Sequence, residues 1–279
     1  MSRRAVPKAN TGALRREGTQ VSPGLVFITG ASSGIGQALA ARYAQAGWRL
    51  ALVARREALM RAWAAAQGLG PDRVLVLPAD VAVVGSIVAA GQRCQREFGL
   101  PDVVIAAAGF SVGFDTAERA DLDVLRDTFA THNVGLAATF HPFVRAMRER
   151  GRGTLVGLAS VNGIRGLPGH GATCASKAAV LAYCESLRVE CRASGVRVVT
   201  LLPGYVATPL TASNPYSMPF LLQPAGFAER AFRAISAGRS HAVIPWQMGW
   251  VAKGLRMMPN ALFDRLMAGR GRKPRRTGS

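Results

Sequence analysis

The sequence predicts an α/β fold: a single doubly wound parallel sheet with helices on both faces. Three observations carry that expectation. Short continuous apolar runs alternate with stretches of helical apolar spacing over most of the chain. The first run passes directly into a glycine-rich turn, "TGASSGIG" (29–36), that opens the first helical stretch. The chain has 279 residues, 49% of them hydrophobic, which is enough for one large core. Alternation of this kind makes the strands parallel and covers both faces of the sheet.

Taken in order, "LVFIT" (25–29) is a buried strand stopped by glycine, and "GIGQALAARYAQAG" (34–47) is a helix ending on Gly47. "RLALVA" (49–54) is the second strand, 55–68 a helix, and "RVLVLP" (73–78) the third strand. A helix near 83–98 precedes the fourth strand, "DVVIAAAG" (102–109), which runs into a glycine turn. Two helices follow, near 121–130 and 132–150, and then the fifth strand, "GTLVGLAS" (153–160). Residues 172–194 make a long helix and "VRVVTLLPG" (196–204) the sixth strand. The segment 205–222, rich in Pro, Ser and Asn, reads as a loop or lid. A helix near 224–237 and a strand near 241–245 close the core. Residues 1–22 lack periodicity and read as a disordered basic arm, 23–245 as the domain, 246–268 as amphipathic helices and 269–279 as a basic tail.

The formal charge is +19, from 35 basic and 16 acidic residues. Much of the excess sits at the ends: Arg3, Arg4, Lys8, Arg15 and Arg16 in the arm, and Arg270, Arg272, Lys273, Arg275 and Arg276 in the tail. Such runs attract nucleic acid or anionic lipid. The plainer reading, a solvated tail that aids solubility, is favoured, and nucleic acid is not an expected partner. Cys94, Cys174, Cys184 and Cys191 have neither metal spacing nor the density of a disulfide scaffold. They read as free thiols in a reducing compartment. The N-terminal charges precede no secretory apolar stretch, and no apolar run reaches the roughly 18 residues of a membrane span. A cytoplasmic location is expected.

The glycine turn carries the first chemistry. Gly30 lets the strand turn sharply, and Gly34 and Gly36 lack the Cβ that would keep backbone from a pyrophosphate or helix from strand. A helix N-terminus then offers free N–H groups and the positive end of its dipole to phosphate. The second strand ends in "LVARRE", placing Arg55 and Arg56 where an NAD-preferring site has an acidic residue. Guanidinium suits a 2′-phosphate and a carboxylate would repel it, so NADP(H) is expected, with Arg55 as the closer contact.

The Gly-x-x-x-Gly-x-Gly spacing resembles that of the short-chain dehydrogenase/reductase family, and the resemblance runs from about residue 24 to 245. It implies a Rossmann-type domain. For the cofactor it implies contacts from the loop residues Gly30, Ser32, Ser33, Gly34, Ile35 and Gly36, and from Asp80 (to adenine) and Gly109. "PGYVATP" (203–209) matches a family motif, so Pro203, Gly204, Val206 and Thr208 are expected at the nicotinamide carboxamide. Ser160 matches the catalytic serine, and Lys177 the lysine that binds ribose and lowers the phenol pKa of a catalytic tyrosine. The family also implies homodimers or homotetramers built on the helices near 132–150 and 173–194.

Three positions depart from the family pattern. Thr173 stands where the tyrosine would, one turn before Lys177, and its hydroxyl is a far weaker acid than a phenol. Ala107 stands in place of an asparagine that would tie adjacent strands. His132 occupies the place of a relay asparagine, while Asn133 would point about 100° away on an α-helix. As a site residue His132 would relay or supply a proton. As an ordinary one it is a hydrogen-bonded histidine at a helix start, and that reading is favoured. His170 has two readings, a group that reaches substrate and a plain loop residue, and the second is favoured.

Phe110, Phe114, Met218, Phe220 and Leu221 fall on loops expected around the nicotinamide and suggest a hydrophobic carbonyl or alcohol substrate. Residues 246–267 combine two tryptophans, apolar spacing and basic residues, which suits peripheral contact with an anionic membrane as well as packing on the domain. The leading expectation is an NADP(H)-dependent oxidoreductase with Ser160, Lys177, Thr173 and His132 at its centre. The alternatives are a non-catalytic NADP(H)-binding scaffold and a binder of membrane or nucleic acid through the basic ends.

Overall fold

The apolar runs form strands because each finds a helix layer to bury it on either side. The computed structural model describes residues 24–269 and 271–276, so the predicted arm at 1–22 lies outside the described residues. The first half of the chain forms β1 (Leu25–Thr29), α1 (Gly34–Gln45), β2 (Arg49–Ala54), α2 (Glu57–Ala66), β3 (Val74–Pro78), α3 (Val84–Glu97) and β4 (Val103–Ala106). Then come α4 (Asp121–Phe129), a π-helical turn (Ala130–Val134), α5 (Gly135–Arg150), β5 (Gly153–Leu158), α6 (Gly171–Cys191) and β6 (Val196–Pro203). The chain continues through α7 (Pro224–Ser236), β7 (His241–Ile244), α8 (Gln247–Met257) and α9 (Asn260–Met267).

The strands lie parallel in the order β3-β2-β1-β4-β5-β6-β7. Chain order reverses between β1 and β4, which opens a crevice beyond their carboxyl ends. Alternate strand residues feed two apolar layers. Phe27, Val53, Val104 and Leu155 meet Phe143 and Val180 on one face; Ile28, Leu52, Ile105 and Val156 meet Leu39 and Phe227 on the other. Each fully buried side chain of this size contributes roughly 1.5–3 kcal/mol.

Two departures from the predicted elements shape the site. The two helices expected near 121–130 and 132–150 are one continuous rod, because no breaker lies between them and the extra residue is taken up in the π turn. And β4 ends at Ala106, three residues before the expected end. There the Thr29 hydroxyl accepts from the N–H groups of Ala107 (3.1 Å) and Ala108 (3.3 Å). The tie expected to be lost with Ala107 is therefore made from β1.

The C-terminal helices pack on the domain through Met248, Ala252, Phe263 and Met267. Arg165 fixes their elbow: it donates to the carbonyls of Leu255 and Met258 and covers the Phe263 ring at 3.9 Å. On the outer side Trp246, Trp250 and Met257 are 66%, 68% and 84% exposed. No described helix is long and apolar enough to cross a membrane. The tail is docked as well as exposed. Of residues 271–276 only Lys273 is buried, yet Arg272 pairs with Asp115 (3.2 Å), Arg275 with Asp121 (2.7 Å) and Arg276 with Asp127 (3.6 Å). These three arginines have carboxylate partners within the chain.

Thr29→Val keeps the shape of the β1 terminus but leaves two amides without an acceptor. The expected loss is about 1–3 kcal/mol of unfolding free energy in urea, with Thr29→Ser close to the parent chain.

Candidate functional site

At the β1–β4 crevice the first helix begins bare. Ser33 precedes α1 in extended conformation and makes no side-chain cap, so the first-turn N–H groups face outward unclaimed by it. Gly30 turns the chain at φ +69°, a left-handed value, and a Cβ on Gly36 would lie 2.3 Å from the Gly30 carbonyl oxygen. Only glycine there lets α1 sit directly on the turn. Ile35 packs into the core beneath the loop.

The loop after β6 returns to face this helix end. A Cβ on Gly34 would be 3.4 Å from the Thr208 methyl. Val206 is buried and bridges to Leu222, the Ala207 N–H donates to the Leu222 carbonyl (2.9 Å), and the Gly204 N–H donates to that of Ile244 (2.8 Å). The segment beginning at Pro203 is thereby held against the glycine loop.

The two arginines divide differently from the sequence expectation. Arg56 reaches back across the sheet and donates to the hydroxyls of Ser32 (3.0 Å) and Ser33 (2.9 Å). Arg55 is 78% exposed and lies 3.8 Å from Asp80. Adjacent residues leaving a strand point to opposite sides, and only Arg56 points to the β1 loop. The other Asp80 oxygen accepts from the Ala82 N–H at 3.0 Å. An uncapped helix start, stripped of Cβ atoms and with guanidinium at its rim, fits a phosphate-bearing dinucleotide.

The turn 107–111 after β4 is anchored from three elements. Thr29 holds its first two amides, the His132 Nε2 accepts from the Phe110 N–H (3.2 Å), and the Ser111 and Thr173 hydroxyls meet at 3.3 Å. The positions that depart from the family pattern thus touch one turn. On its other side His132 Nδ1 meets the Ser176 hydroxyl (2.9 Å), which donates to the Thr173 carbonyl (3.0 Å). One proton arrangement satisfies this chain: Nδ1 donates and Nε2 accepts.

His132 is buried, and burial followed by the Lys177 ammonium holds its pKa well below 6.5. Both of its ring nitrogens are engaged within the chain. Asn133 also reaches α6, donating to the Ser176 carbonyl at 3.0 Å. The sequence reading turned it away, but the wider π turn brings both neighbours to the same helix.

Lys177 donates to the Leu158 carbonyl at 2.7 Å, and burial lowers its pKa to about 8. Gly109 is hemmed between it and His132: a Cβ there would be 3.0 Å from His132 Nε2 and 4.0 Å from Lys177 Nζ. The Ser160 hydroxyl accepts from the Asn162 N–H at 3.1 Å and lies 3.5 Å from the Pro203 carbonyl, a long contact that leaves its proton available. Sequence reasoning missed Thr29, Ser111 and Ser176, since nothing in a linear pattern pairs residue 29 with 107 or residue 132 with 176.

On the outer side, the Tyr216 hydroxyl meets His170 Nε2 at 3.3 Å, and the Tyr205 and Tyr216 rings lie 6.4 Å apart. Phe110 leans on the His132 ring, and Phe114 lies against Gly171. Phe220 and Leu221, expected at the pocket, are exposed. The four cysteines are buried free thiols, and burial raises the pKa of the Cys174 thiol, so it packs rather than attacks.

Fold and site together are those of a doubly wound α/β protein with its crevice at the β1–β4 switch in strand order. The family model for short chain dehydrogenases matches residues 24–217, and the chain belongs to that family. An uncharacterized oxidoreductase of Myxococcus xanthus is 37% identical over 241 residues, covering 85% of this chain and 94% of the relative. Alcohol dehydrogenase from Thermococcus sibiricus, solved with 5-hydroxy-NADP, superposes with a TM-score of 0.67 at 26% identity, covering 79% of this chain and 95% of that one. A 3-ketoacyl-(acyl-carrier-protein) reductase from Brucella melitensis, solved with NADH, gives 0.70 at 25% identity, covering 79% and 94%.

The buried neutral His132 makes a prediction about acid. Its folded-state pKa lies below the unfolded value, so its contribution is fully present above about pH 6.5 and is lost as pH falls below that. Between pH 6.5 and 5 the parent chain should lose up to about 1.4 kcal/mol per pH unit more than His132→Asn, read from unfolding curves at each pH.

Proposed function

We propose that the protein is an NADP(H)-dependent oxidoreductase that interconverts a hydrophobic carbonyl compound and its alcohol. The observation that carries this is Arg56, hydrogen-bonded to Ser32 and Ser33 at the rim of the uncapped α1 terminus. A guanidinium there matches a 2′-phosphate, and Arg55 adds a second positive charge beside it. The 5-hydroxy-NADP complex of the Thermococcus sibiricus enzyme supports the same choice, and the NADH complex of the Brucella reductase marks the alternative that the test must exclude.

The bound cofactor supplies or accepts the hydride. The chain supplies the rest. The first turn of α1 and Arg56 hold phosphates, Thr208 and Val206 hold the carboxamide, and Lys177 holds the ribose. Ser160 donates to the carbonyl oxygen and orients it. Thr173 is too weak an acid to give up its proton, and His132 is engaged. The proton therefore comes from the Lys177 ammonium through water, a group poised by its pKa of about 8. Phe110, Phe114 and Pro168 offer the substrate an apolar surface. Exposed Val134 on the π turn and Tyr183 and Val189 on α6 support self-association through these helices. A second reading, a nucleotide-binding protein without turnover, is favoured by the Thr173–Ser111 contact, which engages the hydroxyl one helical turn before the lysine.

Arg56→Glu should weaken NADPH binding by roughly 10- to 100-fold while leaving NADH within a few-fold, measured by nucleotide fluorescence titration. Equal affinities in parent and variant would remove the NADP(H) assignment. Thr173→Tyr should raise kcat for NADPH-dependent reduction across a carbonyl panel by about tenfold or more, because it restores a phenolic acid beside Lys177. NADPH binding with no turnover in either chain decides for the second reading.

A further inference from the structure

The tail crosses the sheet edge where substrate is expected. Three loops line that edge: 107–120 after β4, 159–170 after β5 and 204–223 after β6. Residues 271–276 touch all three. The Pro274 carbonyl accepts from the Gly113 N–H at 2.8 Å, and Gly113 and Arg275 pair as a short parallel bridge. Arg272 bonds Asp115 and lies against Gly169, where a Cβ would be 3.1 Å from its own. The Lys273 ammonium donates to the Leu210 carbonyl at 2.9 Å, and Gly271 lies against Pro215.

The attachments are built for this segment. A Cβ on Gly113 would lie 2.1 Å from the Lys273 carbonyl oxygen, so the loop after β4 admits the tail only because residue 113 is glycine. Asp121 is 1% exposed and takes Arg275 through both oxygens (2.7 and 3.3 Å), one of which also accepts from the Asp115 N–H. Lys273 is 6% exposed, a costly place for an ammonium unless the surrounding chain is shaped to hold it. Gly271 closes a small cavity whose other walls include Asn162, Pro168, His170, Tyr205 and Tyr216. Asn162 is two residues from Ser160, and Gly113 two from Ser111.

We propose that residues 271–276 are a strap across the mouth of the substrate cleft that sets which carbonyl compounds the site accepts. The proposal rests on the oxidoreductase reading above. Its pegs are Asp115 and Asp121, and its contact side is the backbone from Gly271 to Arg275. Large substrates require the strap to lift, and small ones pass beneath it.

The test uses the full chain, a chain ending at Ala268, and Arg275→Ala, each also carrying Ser111→Cys as an accessibility reporter; the four native cysteines are buried. An aqueous thiol reagent should label residue 111 at least tenfold faster in the truncated chain and in Arg275→Ala than in the full chain. NADPH affinity, measured on the chains without the reporter, should stay within about twofold. The ratio of kcat/KM for a bulky over a small carbonyl, also measured without the reporter, should rise at least tenfold in the truncated chain and in Arg275→Ala. Equal labelling rates overturn the strap. Faster labelling with an unchanged ratio overturns its role in specificity. NADPH binding with no reduction of any carbonyl, strap present or absent, fails the oxidoreductase reading and the specificity role with it, and the labelling rates still report whether the mouth is covered.

Discussion

The site depends on how closely α1 approaches the end of β1. With no Cβ at residue 36, the helix rests on the Gly30 carbonyl, where any side chain would intrude to 2.3 Å. That contact aims a helix terminus, uncapped by its own Ser33, into the crevice where strand order reverses. Everything else at the nucleotide end is arranged around it. Arg56 reaches the loop serines from β2, and Thr208 faces Gly34 from beyond β6. A helix set even an ångström further out would leave these groups pointing at solvent.

Residues 107, 132 and 173 form a connected set. Ala107, His132 and Thr173 all meet the turn 107–111, and the polar groups there find partners nearby. Thr29 takes the two amides at the end of β4, His132 takes the Phe110 N–H and bonds Ser176, and Thr173 bonds Ser111. A buried polar group without a partner costs far more than a satisfied one contributes. The pattern is that of a turn held by hydrogen bonds from three separate elements. Beside this set Lys177, whose pKa burial lowers to about 8, can exchange a proton near neutrality.

The docked tail changes the meaning of the basic charge. Of the tail cations, Arg272, Arg275 and Arg276 each find a carboxylate on or beside α4, and Lys273 a carbonyl on the loop after β6. In a chain with only 16 acidic residues, a cluster holding Asp115, Glu118, Asp121 and Asp127 is a concentrated acceptor.

The sequence by itself determined the strands, their parallel arrangement and the nucleotide crevice. Continuous apolar runs such as "LVFIT" and a glycine turn at a fixed place are local signals, and local geometry decides them. Only the tertiary structure decided that Arg56 rather than Arg55 meets the loop, that Thr29 ties Ala107, that His132 is locked and neutral, and that the tail is bound. Each of these is a pairing between residues at least twenty apart, and hydrogen bonds at that separation leave no periodicity in a sequence. The tail is the extreme case: Arg275 and Asp121 are separated by 154 positions, and a run of arginines reads as solvated until the carboxylates that receive it are brought to the same edge.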